Sequence, residues 1–191
     1  VAYQLTPEEK ELYDAVTKYL TKKKEEATET KNIHVSLALT VMQRRLVSSI
    51  YAIKNTLERR WVALQGIVDE VNKNPNLWNQ RHKLEGFDVD NIEDYEDLED
   101  DERDALDGIL SDPRKFKLFT TAKSLSEIQQ EANEVKKLFD MAQTLYNRKQ
   151  EEKKFQELQE LLKSNGVLEK GEKLVIFTEH KDTLLYLEER L

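Results

Sequence analysis

The sequence predicts a mainly α-helical protein that ends in one short α/β segment. Charged residues make up 36% of the 191 positions, and the five glycines and three prolines are few, which favours long helices over an all-β fold. Apolar residues recur at helical spacing over most of the length. The exception is the continuous apolar run at residues 173–178, which is typical of a buried parallel strand. We therefore expect an antiparallel bundle of long helices, followed by the first strand and helix of an incomplete α/β lobe.

The first helix is predicted to begin after an extended segment, residues 1–5. Thr6 is a favoured N-cap residue, Pro7 suits the first helical position, and Glu9 completes a capping box. The apolar pattern of this helix ends at the charged residues 22–26, where we expect the helix to fray.

A second helical region is predicted over residues 36–74. Its apolar positions keep a helical period throughout, and Asn74-Pro75 is a stop signal. A continuous helix of this length would measure about 55 Å, at 1.5 Å per residue.

An acidic insert, about residues 85–108, follows this region. Residues 85–107 hold thirteen Asp and Glu against one basic residue, Arg103. Without them, 25 acidic and 29 basic residues remain, so the net charge changes from −8 to +4. The insert reads as a solvated loop, or alternatively as an acidic arm that competes with nucleic acid for a basic surface.

Two further helices are predicted after the insert. A short one begins at residues 111–113, and a long one is capped by Ser124 and runs to about Lys163, where Asn165-Gly166 ends it. Apolar residues of the long helix form a seam, residues 128–146, with alternating spacings of four and three. This seam predicts packing against the helix of residues 36–74, with a coiled-coil arm as the alternative.

Few residues suit catalysis or metal binding. The absence of Cys excludes disulfides, Cys-based zinc sites and Cys nucleophiles, and it favours a cytoplasmic location. His34, His82 and His180 each lack a second imidazole at ligand spacing, and the glycines form no phosphate loop. No apolar run is long enough to predict a membrane span. We expect no catalytic, cofactor-binding or metal-binding residue in this chain.

Two arginine pairs are the candidate nucleic-acid contacts: Arg44, Arg45, Arg59 and Arg60. The pairs are fifteen residues apart, close to four helical turns, so they are predicted to lie near one face. Arginines beside serine hydroxyls suit phosphate contacts. The alternative is ion pairing with acidic residues of a neighbouring helix.

Three blocks carry a resemblance to a known family. Residues 1–20 (VAYQLTPEEKELYDAVTKYL), 38–60 (ALTVMQRRLVSSIYAIKNTLERR) and 174–187 (LVIFTEHKDTLLYL) resemble consecutive blocks of SWI/SNF-type superfamily-two helicases, the RapA/HepA-like group. They cover about a third of the chain. Ile50 departs from the family, where Pro is common, so we expect the helix to continue through this position.

The resemblance implies a piece of an ATP-driven translocase that acts on double-stranded DNA or on a nucleic-acid complex. The first 170 residues would be the helical region between two RecA-like lobes, and residues 171–191 the truncated start of the second lobe. Motif IV would be Val175, Ile176, Phe177 and Thr178. ATP, Mg²⁺ and the residues that bind them would belong to the missing lobes, which are the implied partners. A beginning without Met at Val1 agrees with a piece of a larger protein.

Two other functions stay open. The first is a non-enzymatic scaffold whose seam, residues 128–146, docks a partner helix. The second is a nuclease or modification subunit with a helicase-like remnant. An orphan parallel strand argues against a self-contained scaffold, and such a strand is expected to pair with residues 1–5 or with its own copy in another molecule.

Overall fold

A computed structural model describes residues 3–76, 106, 108, 120–148, 151–167 and 173–191. The chain is mainly helical, as predicted, and these residues contain six longer helices. They are α1 (Pro7–Glu29), α2 (Ile33–Ser48), α3 (Ile50–Lys73), α4 (Leu125–Tyr146), α5 (Lys153–Ser164) and α6 (Lys181–Arg190).

Local capping explains where α1 ends and α2 begins. The predicted capping box is present, since the Thr6 amide donates to Glu9 at 2.7 Å and the Glu9 amide donates to the Thr6 hydroxyl. Lys31 adopts a left-handed conformation, φ 53°, and the amide of Asn32 donates to the carbonyl of Ala27 at 2.8 Å. This Schellman arrangement ends α1. Asn32 then caps α2, so the two helices form a tight hairpin.

The long helix predicted over residues 36–74 is interrupted. Ser49 is extended, with φ −161° and ψ 156°, and separates α2 from α3. The Ser49 hydroxyl accepts a hydrogen bond from the Ala52 amide at 3.0 Å, and the Glu152 carboxylate accepts one from the Ile50 amide at 2.7 Å. These acceptors satisfy amides that a helix start leaves without partners. The expectation of a helix continuing through Ile50 is therefore wrong.

Helix α4 is capped by Ser124, as predicted, but it ends at Tyr146 rather than near Lys163. A separate helix, α5, begins after Glu152 and ends where Asn165-Gly166 predicts, with Gly166 at φ 63°. The chain leaves the helical path between them because Glu152 turns toward the start of α3.

Helices α3 and α4 run antiparallel. Tyr51, near the start of α3, lies 5.2 Å from Tyr146 at the end of α4, measured between ring centroids. Farther along α3, Arg60 pairs with Glu131 in the first half of α4. The predicted seam of α4 faces this interface: Ile128, Ala132, Val135, Phe139 and Ala142 are buried in one core with residues of α1, α2 and α3. The seam is thus covered within the chain, as expected for a bundle.

Leu106 also belongs to the core. It is helical and fully buried, although it lies inside the predicted acidic insert. Apart from Leu106 and Gly108, the insert falls outside the described residues, as do the short helix predicted from residue 111 and His82.

The structure does not show the predicted C-terminal strand. Residues 173–178 form no strand and pair with no strand among the described residues, including residues 3–5 of the N-terminal segment. Val175 is 71% and Phe177 91% exposed. An isolated extended segment has no neighbour to take its backbone hydrogen bonds or to cover its side chains. The following helix, α6, is present as predicted. No described helix is long and apolar enough to cross a membrane.

Candidate functional site

The start of α6 docks on polar side chains of α2 and α3, and Asp182 is at the centre. Its carboxylate accepts hydrogen bonds from both terminal nitrogens of Arg59, at 3.0 and 2.9 Å, and from the Asn55 amide at 3.2 Å. The Arg45 guanidinium is 4.0 Å away. A bidentate pair of this kind fixes orientation as well as distance.

Electrostatics keep Asp182 ionised in this position. Burial would raise the pKa of Asp182, but the hydrogen bonds and charge of Arg59, followed by Asn55 and Arg45, together hold that pKa below its ordinary value. The carboxylate is therefore charged at neutral pH, and its charge is balanced by arginine.

The next residue, Thr183, adds neutral contacts to the same interface. Its hydroxyl lies 2.6 Å from the Ser48 hydroxyl and 3.1 Å from the Ser49 hydroxyl. Ser49 and Thr183 are buried, and Ser48 is half-buried. The serines that follow the first arginine pair thus bind α6 at the point where α2 ends.

A second arginine–carboxylate pair lies at the edge of this interface. Arg44 donates to Glu179 from Nε, at 2.9 and 3.2 Å, and from Nη2 at 3.0 Å. The side chains of Arg44 and Glu179 are 38% and 42% exposed. This pair is open to solvent, in contrast to the pair of Arg59 and Asp182.

The remaining two arginines are buried. Arg45 is 1% exposed and donates to the Thr56 hydroxyl at 2.8 Å. Arg60 is 3% exposed and faces α4, where it pairs with Glu131. The four arginines therefore do not share one face: Arg44, Arg45 and Arg59 face α6, whereas Arg60 faces the bundle core.

Glu131 joins α1, α3 and α4 inside the bundle. Besides Arg60, it accepts from the Tyr19 hydroxyl at 2.9 Å and lies 3.3 Å from the Lys23 ammonium. Burial would raise the pKa of Glu131, but Arg60 and Lys23 overcome this and lower it. Each of the four candidate arginines thus has an acidic residue within 4.0 Å, which is the alternative that the sequence left open. Their contact with phosphate stays a prediction.

Aromatic side chains hold the rest of α6 against the bundle. Tyr186 stacks on Tyr51 with 6.1 Å between ring centroids, and it meets Phe155 of α5 edge-on at 5.5 Å. Arg190 lies over the Tyr186 ring at 5.1 Å. Helix α6 is therefore attached by a polar contact at its start and by an aromatic contact farther along.

The candidate motif IV residues lie beside an apolar cavity of about 320 Å³. Ile176, Phe177 and Thr178 line it, together with Leu158 and Leu161 of α5, whereas Val175 is mostly exposed. Most of the cavity surface is aliphatic and aromatic, and the charged side chains of Glu152, Lys154 and Glu157 also line it.

The described residues contain no group of three or more His, Cys, Asp or Glu side chains that could hold a metal ion. His180 is buried directly before α6, with Nε2 4.0 Å from Glu179.

Sequence reasoning missed Asn55, Asp182 and Thr183. An acidic residue in the first turn of a helix is common for electrostatic reasons, so Asp182 gave no sign of a distant partner. Asn55 and Thr183 carry no charge or motif of their own. The one available signal was the position of all three inside the second and third family-like blocks.

Comparisons with protein-family models, with curated proteins and with solved structures find no match to this chain.

Proposed function

We propose that this chain is the helical region between the two RecA-like lobes of an ATP-driven, SWI/SNF-type translocase on double-stranded DNA. The proposal starts from the three family-like blocks. One observation supports it most: the second block, residues 38–60, and the third, residues 174–187, meet in one polar interface centred on Asp182.

In this proposal α6 is the first helix of the second lobe, and residues 174–178 are the strand before it. The strand forms when the rest of the lobe supplies neighbouring strands, which would cover the exposed Val175 and Phe177. The interface then carries movement of the second lobe into α2 and α3. A bidentate arginine pair suits this role because it tolerates little sliding or rotation.

ATP hydrolysis belongs to the lobes in this proposal. ATP with Mg²⁺ would supply the energy there, and the 191-residue chain by itself is expected to hydrolyse no ATP. What this chain contributes is position: Arg59 and Asn55 orient Asp182, and Ser48 and Ser49 orient Thr183.

The test compares Asp182→Asn with Asp140→Asn in the full-length protein. Asp140 makes an exposed ion pair with Lys136 on α4, away from α6, so it controls for the same chemical change. We expect Asp182→Asn to lower ATP hydrolysis stimulated by duplex DNA and to leave basal hydrolysis unchanged, because the ATP site is elsewhere. Asp140→Asn should change neither rate.

Two results would contradict the proposal separately. A full-length protein that hydrolyses no ATP would exclude the translocase and favour a scaffold. A DNA-stimulated ATPase that is indifferent to Asp182→Asn would exclude coupling through this interface. A scaffold would need a surface other than residues 128–146, since α3 covers the apolar seam of that segment.

A further inference from the structure

Arg44 of α2 and Arg59 of α3 bind carboxylates near the start of α6 in the geometry that arginine uses for phosphate. Arg44 holds Glu179 and Arg59 holds Asp182, each through two nitrogens and both carboxylate oxygens. The planar guanidinium fork matches carboxylate and phosphate oxygens alike. The two side chains therefore present a surface that suits a pair of phosphates if α6 moves away.

Hydroxyl groups lie in the same surface. Ser48 and Ser49 contact Thr183 of α6 at 2.6 and 3.1 Å. Without Thr183, both hydroxyls could donate to a phosphate oxygen, as serine often does on nucleic-acid backbones. The contacts that residues 179–183 make here could thus be replaced one by one: each carboxylate by a phosphate, and the threonine hydroxyl by a phosphate oxygen.

The other two arginines do not share this arrangement. Arg45 is buried and bonded to Thr56, and Arg60 is committed to Glu131 in the core. Replacement of a carboxylate by a phosphate is therefore confined to Arg44 and Arg59. Arg44 is the easier of the two to release, because its ion pair is open to solvent and exposed pairs contribute little.

We propose that Arg44, Arg59, Ser48 and Ser49 form a binding site for the phosphates of a nucleic-acid backbone, and that Glu179 and Asp182 cover this site while α6 is docked. Docking of α6 and binding of the backbone then exclude each other. This inference rests on the proposed function for its choice of nucleic acid as the phosphate source. Mutual exclusion would allow this one interface to respond both to the second lobe, through α6, and to DNA.

The direct test is DNA binding by the 191-residue chain with Glu179→Gln and Asp182→Asn combined. The amides keep the shape of the side chains but no longer neutralise Arg44 and Arg59. We expect tighter binding of a short fluorescent DNA duplex, measured by anisotropy. Two additional phosphate contacts should make the slope of log affinity against log salt concentration steeper by about 1.8. Between about 50 and 200 mM salt, the affinity of the variant should therefore fall about twelvefold more than that of the unmodified chain.

The matched control combines Glu8→Gln with Asp140→Asn. These changes alter the net charge equally and also release two basic partners, Arg148 and Lys136, at another surface. The proposal expects a smaller gain in affinity from this control. Adding Arg44→Ala and Arg59→Ala to the first variant should remove its gain, while circular dichroism confirms that the helices remain.

Hydrogen exchange of the unmodified chain gives a second readout. Saturating duplex DNA should accelerate exchange of the α6 amides and leave those of α3 protected. Millimolar inorganic phosphate without DNA should not do so, because a single ion cannot hold both arginines apart from α6.

Three results would overturn the inference. One is an equal gain from the control variant, which would reduce the effect to net charge. Another is hydrogen exchange of the α6 amides that does not change when DNA binds. The third is release of α6 by inorganic phosphate alone, which would show that the site binds a free anion. Any of these leaves the ATPase test of the full-length protein unaffected, so the two proposals fail separately.

Discussion

At the scale of single residues, burial separates the four arginines that the sequence groups together. Arg45 and Arg60 are almost fully buried, whereas Arg44 has a side chain that is 38% exposed. Buried arginine is tolerated because carboxylates and hydroxyls satisfy its charge and donors. Neighbouring arginines can therefore have unrelated roles, and only their surroundings tell them apart.

Glu152 makes stability depend on pH. The pKa of Glu152 is raised from 4.5 to about 7, chiefly by burial and also by the charge of Glu9, because these two effects outweigh the Ile50 amide, Lys154 and Arg190, which lower it. A raised carboxyl pKa stabilises the fold below about pH 4.5, and this contribution is lost as pH rises to about 7. The loss amounts to at most about 3 kcal/mol.

Glu152→Gln should remove this dependence and keep the acceptor for Ile50. In urea unfolding we expect the variant to be more stable than the unmodified chain at pH 8 and to approach it near pH 4.5. Glu151→Gln, at the next position and paired with Arg190, should retain the original pH trend. Parallel pH profiles for Glu152→Gln and the unmodified chain would contradict the assignment.

Arg60 is expected to be essential for stability. Arg60→Met leaves Glu131 buried with Lys23 as its remaining cation, and breaking a buried pair in this way costs about 3–5 kcal/mol. Changing Glu131→Met as well should recover most of the loss, because the uncompensated charge is gone. The free energy of unfolding in urea measures both. Equal losses in the single and double variants would show that packing, rather than charge, dominates at this position.

At the scale of elements, the two breaks between helices shape the surface on which α6 docks. The chain turns at Ser49, and it leaves the helical path again between Tyr146 and Lys153. The two breaks meet in space, since Glu152 accepts from the Ile50 amide and Lys154 donates to the carbonyls of Val47 and Ser48. Both breaks lie beside α6 and so shape its docking surface.

Ser49→Ala tests the first break. It removes the cap of α3 together with a contact to Thr183, whereas Ser48→Ala removes only a contact to Thr183. Loss of a serine cap costs about 1 kcal/mol, so thermal or urea unfolding should show Ser49→Ala less stable than Ser48→Ala by about this amount. Equal stability of the two variants would mean that Glu152 alone secures the start of α3.

At the scale of the whole molecule, charge is divided unevenly along the chain. Residues 85–107 hold thirteen of the 38 acidic residues, although Leu106 within them is part of the core. Deleting the whole segment would therefore remove a core residue, whereas replacing its acids with amides keeps Leu106 in the chain. The net charge of −8 opposes DNA binding, whereas the residues outside 85–107 carry a net charge of +4, which favours it.

Replacing these thirteen acids with Asn and Gln changes the net charge from −8 to +5. We expect tighter binding of duplex DNA, most clearly at low salt, because distant charges are screened beyond about 8 Å at physiological salt. Adding Arg44→Ala and Arg59→Ala should remove much of the gain. DNA affinity that stays unchanged at low salt would show that the acidic insert does not oppose binding.

The sequence by itself determined the helical class and the helix ends whose signals are local. The capping box at Thr6, the start at Ser124 and the end at Gly166 follow from side chains within a few residues of each bond. The packing of the α4 seam on α3 also follows from periodicity, because an apolar stripe must be covered.

Only the tertiary structure decided the helix breaks and the arginine partners. The Glu152 carboxylate that secures Ile50 is 102 residues away in the chain, and Asp182 is 123 residues from Arg59. Periodicity continues through Ser49 because both α2 and α3 face the same core, so no local pattern marks the turn. A guanidinium can donate to a carboxylate or to a phosphate in the same bidentate geometry, and the fold decides which of the two lies within reach.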